Sequence, residues 1–158
     1  MASILCKNAR FVSPAGVIEK GHISIKDYSI QSVFPTHSDP EKDNRFNEIF
    51  DASSYLILPG LMNCHTHVPM TLFRGLGEDL PLSQWLNEKI FPYEDRLFSE
   101  AVYFGSLIAI SELLHNGCTF FADMYFFLDD IAKACLLSGI KANLSLGLMD
   151  INGENKLD

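Results

Sequence analysis

The sequence has no apolar run approaching the ~20 residues of a membrane span, and no charged start leading into a signal-like apolar stretch. These absences predict a cytoplasmic chain with no membrane partner. Basic residues are scarce, with 12 Lys and Arg against 20 Asp and Glu and a net charge of -8. Such a surface repels phosphate backbones, so nucleic acid is not an expected partner. The four cysteines, Cys6, Cys64, Cys118 and Cys135, are scattered. They have neither zinc-knuckle spacing nor the density of a disulfide scaffold, and reduced thiols are expected. At 158 residues the chain suffices for one domain with a core, or for a piece of a larger one.

Histidine is also scarce. Of five in the chain, two stand one residue apart in "LPGLMNCHTHVPM", Leu58 to Met70. The segments before them, "ILCKNARFV", "GVIEKGHISIK" and "YSIQSVFP", are short and rich in β-branched and aromatic residues, which predicts a β-meander. "PTHSDPEKDNRFN" is polar and contains proline, as a loop does. "EIFDASSYLILPG" predicts two further short strands, or one strand and a turn, and the whole reads as part of a β-sandwich.

From Leu56 onward the pattern alternates. "LILPGLMNCH" is a nearly continuous apolar run, as in a strand covered on both faces. A helix is predicted from about Ser99, with Val102, Leu107, Ile110 and Leu114 apolar and Gly117 at its end. "CTFFADMYFF" predicts a second strand, "LDDIAKACLLSG" a helix stopping at Gly139, and "IKANLSLGLM" a third strand. Such alternation argues for parallel βα units.

Strand parity gives the histidine pair a meaning. Residues two apart share a face and lie about 6.6 Å apart along the backbone, so His65 and His67 can reach one ion. They follow a predicted strand at its C-terminal end, where βα architectures place their sites. Cys64 and Thr66 have the opposite parity and are expected to point away, which disfavours a thiolate ligand. "VPMTLFRGLGEDLPLSQWL", which follows, is expected to wall the strand end.

Taken together, "LPGLMNCHTHVPMTLFRGLGEDLPLSQWL", "FPYEDRL", "LIAISELLHNGCTFFADMYFF" and "IAKACLLSGIKANL" resemble the amidohydrolase superfamily. Within it they look most like the 5-methylthioadenosine/S-adenosylhomocysteine deaminases and the neighbouring chlorohydrolase-like group. The resemblance implies an α/β fold: part of a small β-sandwich over residues 1–55, then about three βα units of a metal-dependent (β/α)8 TIM barrel over 56–158. It also implies one divalent ion, zinc in preference to iron, held by His65 and His67. That ion lowers the pKa of a water, which attacks the amine-bearing carbon of an adenine nucleoside so that ammonia leaves. Glu94, by the same resemblance, contacts the ribose; without it, Glu94 reads as a solvated acid.

The superfamily completes its site from later strands. A (β/α)8 barrel needs about 250 residues, so most of it is expected elsewhere, and no proton-transfer residue is assigned within this chain. His22, His37 and His115 all have ordinary readings, and His115 suits a helix C-terminus. Asp123 shares parity with Phe121 and Tyr125 and either faces the barrel interior or caps a loop. Trp85 and Leu86 read as helix packing before a base-stacking wall. Arg74 is expected to pair with Glu78 or Asp79 at the surface.

Where the family often has turn glycines, this chain has Tyr28 and Ser54, a cost in stability if those positions need positive φ. Where relatives accepting S-adenosylhomocysteine often carry an arginine, it has Leu146 before Gly147. Three expectations follow: a nucleoside aminohydrolase represented by its N-terminal third, a truncated and inactive relative, or a non-catalytic interaction module. The first requires a complementing C-terminal segment, and the exposed strand edges also suit a homo-oligomer.

Overall fold

The structure is a computed structural model describing residues 3–43, 46–147, 150–151 and 154–155. Leu148 and Met149 of the third predicted barrel strand, and Asn44 and Arg45 of the predicted loop, lie outside the described residues. The chain divides into two compact units, Met1–Pro59 and Gly60–Asp158.

The first unit is one mixed sheet. β1 (Ser3–Val12), β2 (Ile18–Lys26) and β3 (Ser29–Pro35) form the antiparallel meander read from the sequence. β4 (Glu48–Asp51) and β5 (Leu56–Ile57) pair with β1 in parallel, one after the other along its free edge. Leu56 and Ile57 thus belong to this sheet, and the strand expected over Leu56–His65 is interrupted by Pro59 and Gly60. Proline cannot donate to a ladder, and a side chain at Gly60 would collide with Thr119. Cys6, Ala9, Phe11, Ile23 and Ala52 form the unit's core.

A bulge interrupts β1 between Cys6 and Ala9, where Asn8 takes φ 57°. The Asn8 N–H released from the ladder donates to Nδ1 of buried His22 at 3.2 Å. His22 Nε2–H then donates to the Thr36 carbonyl at 3.3 Å, so this imidazole is fully used in holding the sheet together. Asp27 and Tyr28 close the β2–β3 hairpin with φ 50° and 71°, the two-residue turn that matches strand twist and favours glycine. Tyr28 therefore carries the cost expected of it. Ser54 is not among the positive-φ residues, so the same expectation fails there.

The second unit carries a parallel sheet in the order β6–β7–β8, from Leu61–Thr66, Cys118–Tyr125 and Lys141–Leu146. Helices α3 (Ser99–His115) and α4 (Leu128–Ser138) make the crossovers into β7 and β8. Between β6 and α3 lie a 3-10 turn (Val68–Phe73), α1 (Leu82–Trp85), a π-helical turn (Leu86–Ile90) and α2 (Phe91–Glu94). Gly117 and Gly139 take φ 77° and 75° just past α3 and α4, as the sequence predicted for both helix ends.

Val102, Ile110, Phe121, Tyr125, Ile131 and Ala134 pack as one core between the helices and one face of the sheet. The opposite face is open, and Met62 is 69% exposed. β6 is thus not covered on both faces as its apolar run suggested, because the helices of this chain lie on one side only. Leu114, expected on the apolar stripe of α3, is 41% exposed.

Candidate metal centre and active site

β6 positions the histidine pair through a change of register. Asn63 pairs with Phe121 and Thr66 with Asp123, so three steps along β6 match two along β7. The extra residue places Asn63 and Thr66 on the same, helix-covered face despite their odd spacing. His65 and His67 lie together, with ring centroids 5.3 Å apart and ring planes at 84°. The Thr66 hydroxyl turns to Asp123 Oδ1 at 2.6 Å. Cys64 and both histidines line a shallow depression of about 190 Å³, and Thr66 and Asp123 line it as well, so a place in its wall does not single out a thiolate ligand. No three His, Cys, Asp or Glu side chains among the described residues group closely enough to hold an ion.

β7 supplies the supports. The His67 Nδ1–H donates to the Met124 carbonyl oxygen at 2.6 Å, which fixes the tautomer and leaves the Nε2 lone pair for a metal. Asp123 is buried at 3% exposure and lies on the helix-covered face between Phe121 and Tyr125, not in the barrel interior. Its Oδ1 accepts the Thr66 hydroxyl at 2.6 Å and the Val68 N–H at 2.8 Å, capping the turn that follows β6. Its Oδ2 is buried without a partner among the described residues. Burial pushes the Asp123 carboxyl above the ordinary carboxylate range, against the opposing pull of Thr66, Val68 and His67.

The third support reaches Glu94. The Tyr125 hydroxyl donates to Glu94 Oε1 at 2.8 Å, and the Tyr125 ring lies 6.2 Å from that of His67. Burial first, and then the Glu94 carboxylate, raise the Tyr125 phenol above its usual pKa, so it remains a donor. Glu94 is therefore tied to the end of β7 rather than free in solvent. α2 delivers it there, after a π turn that precedes Pro92, which has no N–H to give to a regular helix.

The remaining candidates fall elsewhere. Arg74 pairs with neither Glu78 nor Asp79; its guanidinium grips Glu112 of α3 through two hydrogen bonds of 2.9 and 2.6 Å. The 3-10 turn lays residues 68–73 along α3, where Gly105 admits Leu72, and this brings Arg74 to α3. Trp85 is half-buried and donates from Nε1 to the Leu76 carbonyl at 2.9 Å, a packing role. Leu146 pairs in register with Tyr125 and shares its face, whereas Asn143 and Ser145 line the depression with the histidines. Asn143, Ser145 and the Met124 carbonyl were not found from sequence. The strand alternation of "KANLSL" separates the two faces, but nothing in it says which face the helices cover.

Comparison with known proteins agrees with this geometry. Residues 56–157 match the amidohydrolase family. A 5-methylthioadenosine/S-adenosylhomocysteine deaminase of Dictyoglomus turgidum is 41% identical over 155 residues, which are 98% of this chain and 35% of that protein. A 5'-deoxyadenosine deaminase of Methanosarcina mazei is 43% identical over 159 residues, 99% of this chain and 36% of that protein. Among solved structures, an adenosine deaminase of Xanthomonas campestris with bound zinc superposes with a TM-score of 0.76 at 32% identity, over 89% of this chain and 32% of that one. The chain thus spans about a third of the length of the curated relatives it matches. With its parallel strands, covering helices and histidine pair at the end of the first barrel strand, the chain belongs to the amidohydrolase family, and its fold is that of the first part of a (β/α)8 barrel.

Proposed function

We propose that this chain is the metal-binding N-terminal segment of a cytoplasmic enzyme that hydrolytically deaminates an adenine nucleoside, 5-methylthioadenosine or a close analogue. The observation that carries the reading is the His65–His67 pair at the end of β6 beside β7, whose Met124 carbonyl holds His67 and whose Tyr125 hydroxyl holds Glu94. The donor set suits a divalent ion, zinc in preference to iron: two imidazoles lie side by side, and the hydrogen bond from His67 Nδ1 leaves Nε2 for ligation. When bound, such an ion supplies the activation of a water molecule near neutral pH.

The chain's own residues orient and bind. Tyr125 engages Oε1 of Glu94, which leaves Oε2 to accept a ribose hydroxyl. Met124 keeps the His67 ring from turning. Proton transfer is assigned to no residue of this chain, and two histidines alone hold an ion weakly, since zinc sites take three or four protein ligands. The exposed Leu61 and Met62 on β6 support a second reading beside this one, in which a complementing C-terminal segment or a second copy of the chain covers the open sheet.

The test is a chimaera in which residues 1–158 replace the matching segment of the Dictyoglomus turgidum relative. Ammonia release from 5-methylthioadenosine by the zinc-loaded chimaera, abolished by His65→Ala or His67→Ala and kept by Cys64→Ala, is the expected result. A folded, zinc-loaded chimaera that releases no ammonia from any adenine nucleoside would contradict the reading.

A further inference from the structure

We propose that Asp123 is a positioning residue for the metal-binding histidine His67, clamping the backbone on both sides of it while the neighbouring Met124 carbonyl fixes the ring. The inference rests on the reading that His65 and His67 hold a metal ion.

The geometry is specific. A single oxygen, Oδ1, takes the hydroxyl of Thr66 at 2.6 Å and the amide N–H of Val68 at 2.8 Å, the residues immediately before and after His67. Thr66 Oγ1 also lies 2.9 Å from the Ala122 carbonyl, so it sits within reach of two consecutive residues of β7. His67 is where the strand ends and the 3-10 turn begins, with φ -135° and ψ 73° and no side-chain cap of its own. At such a junction the backbone has no ladder partner beyond Thr66, and its direction is set by what holds the flanking groups. Asp123 is what holds them. The ring's bond to the Met124 carbonyl forms only if the backbone carries Nδ1 to that oxygen, so the aspartate acts on the imidazole at one remove.

A buried carboxylate is costly, and packing alone does not call for one. Here the charge is directed at two donors that bracket one ligand, and groups behind a metal-binding histidine commonly set its affinity by about 10- to 100-fold.

The experiment uses the 158-residue chain labelled with 15N-histidine, in wild type, Asp123→Ala, Asp123→Asn and Thr66→Val, with the His67 signal assigned by His67→Gln. Long-range 1H–15N spectra of the metal-free chain report the tautomer, and Zn2+ titration of the chimaera carrying the same substitutions reports affinity. The wild type is expected to show His67 as the Nδ1–H form. Asp123→Asn keeps an oxygen acceptor and should retain that form. Asp123→Ala should lose it and bind Zn2+ about 10- to 100-fold more weakly, with the His65 signal unchanged. Thr66→Val, which removes one of the two bonds without emptying the site, should shift His67 part of the way and decides the matter if Asp123→Ala does not fold. A chimaera that takes up no Zn2+ while the His67 tautomer of the chain still shifts in Asp123→Ala defeats the metal reading and leaves the clamp standing. Unchanged His67 tautomer and Zn2+ affinity in Asp123→Ala, or an unchanged tautomer in a folded Thr66→Val when Asp123→Ala fails to fold, overturns the clamp.

Discussion

The hydroxyl of Tyr125 donates to Oε1 of Glu94 at 2.8 Å across a sequence separation of 31 residues, joining the last residue of β7 to the last of α2. The bond turns a half-buried acid into a fixed acceptor at the end of β7. A hydrogen bond to a charged group contributes about 1.5–3 kcal/mol when well buried, and the partial exposure of Glu94 lowers that figure. A double-mutant cycle of Tyr125→Phe and Glu94→Gln in urea denaturation is therefore expected to show a coupling of about 1 kcal/mol. Additive effects of the two substitutions would mean that the pair contributes nothing to fixing Glu94.

Leu146 pairs with Tyr125 at the end of β8, and by the family resemblance it stands where relatives accepting S-adenosylhomocysteine are expected to carry an arginine. Leucine offers no donor to an amino-acid carboxylate, and it suits the thioether of methylthioadenosine. In the chimaera, Leu146→Arg is expected to shift the ratio of kcat/KM toward S-adenosylhomocysteine by roughly ten- to a hundredfold, the value of one charge-assisted contact. A preference for S-adenosylhomocysteine with Leu146 in place would show that this position does not set specificity.

Tyr28 is fully exposed and sits at φ 71° in the β2–β3 turn, so its side chain gains no packing in return for a left-handed backbone. Tyr28→Gly should stabilise the first unit by about 1 kcal/mol, the left-handed penalty of about 1–2 kcal/mol less the extra entropy that glycine loses. Thermal denaturation of the two chains measures it, and a lower melting temperature in the glycine variant would count against this account of the turn.

Asp130, in the first turn of α4, bonds Lys133 Nζ at 2.7 Å. The Lys133 ammonium first, and Ser99 next, hold its carboxyl below the usual carboxylate range. A depressed folded pKa means that the unfolded chain takes up the proton first as pH falls. The stabilisation is therefore present above the unfolded pKa near 3.8 and is lost as pH drops through the folded value. Wild type should melt above Asp130→Asn at pH 7, and the two curves should converge in acid. A gap that persists undiminished in acid would assign the effect to something other than this ionisation.

The sequence by itself determined the local elements and the chemistry of the site. Alternation and turn residues located the meander, Gly117 and Gly139 marked both helix ends, and the two-residue repeat of His65 and His67 put them together. These are short-range properties, carried by the φ a glycine permits and by the side-chain period of a strand. Only the tertiary structure decided which face is which. The bulge in β6 matched three of its steps to two of β7, and the placement of α3 and α4 put Phe121 and Tyr125 under the helices. It also chose Glu112 for Arg74, a partner 38 residues away, over the nearer Glu78 and Asp79. Register and helix placement depend on contacts between distant segments, and no local pattern in "HTH" or "FADMYF" records them.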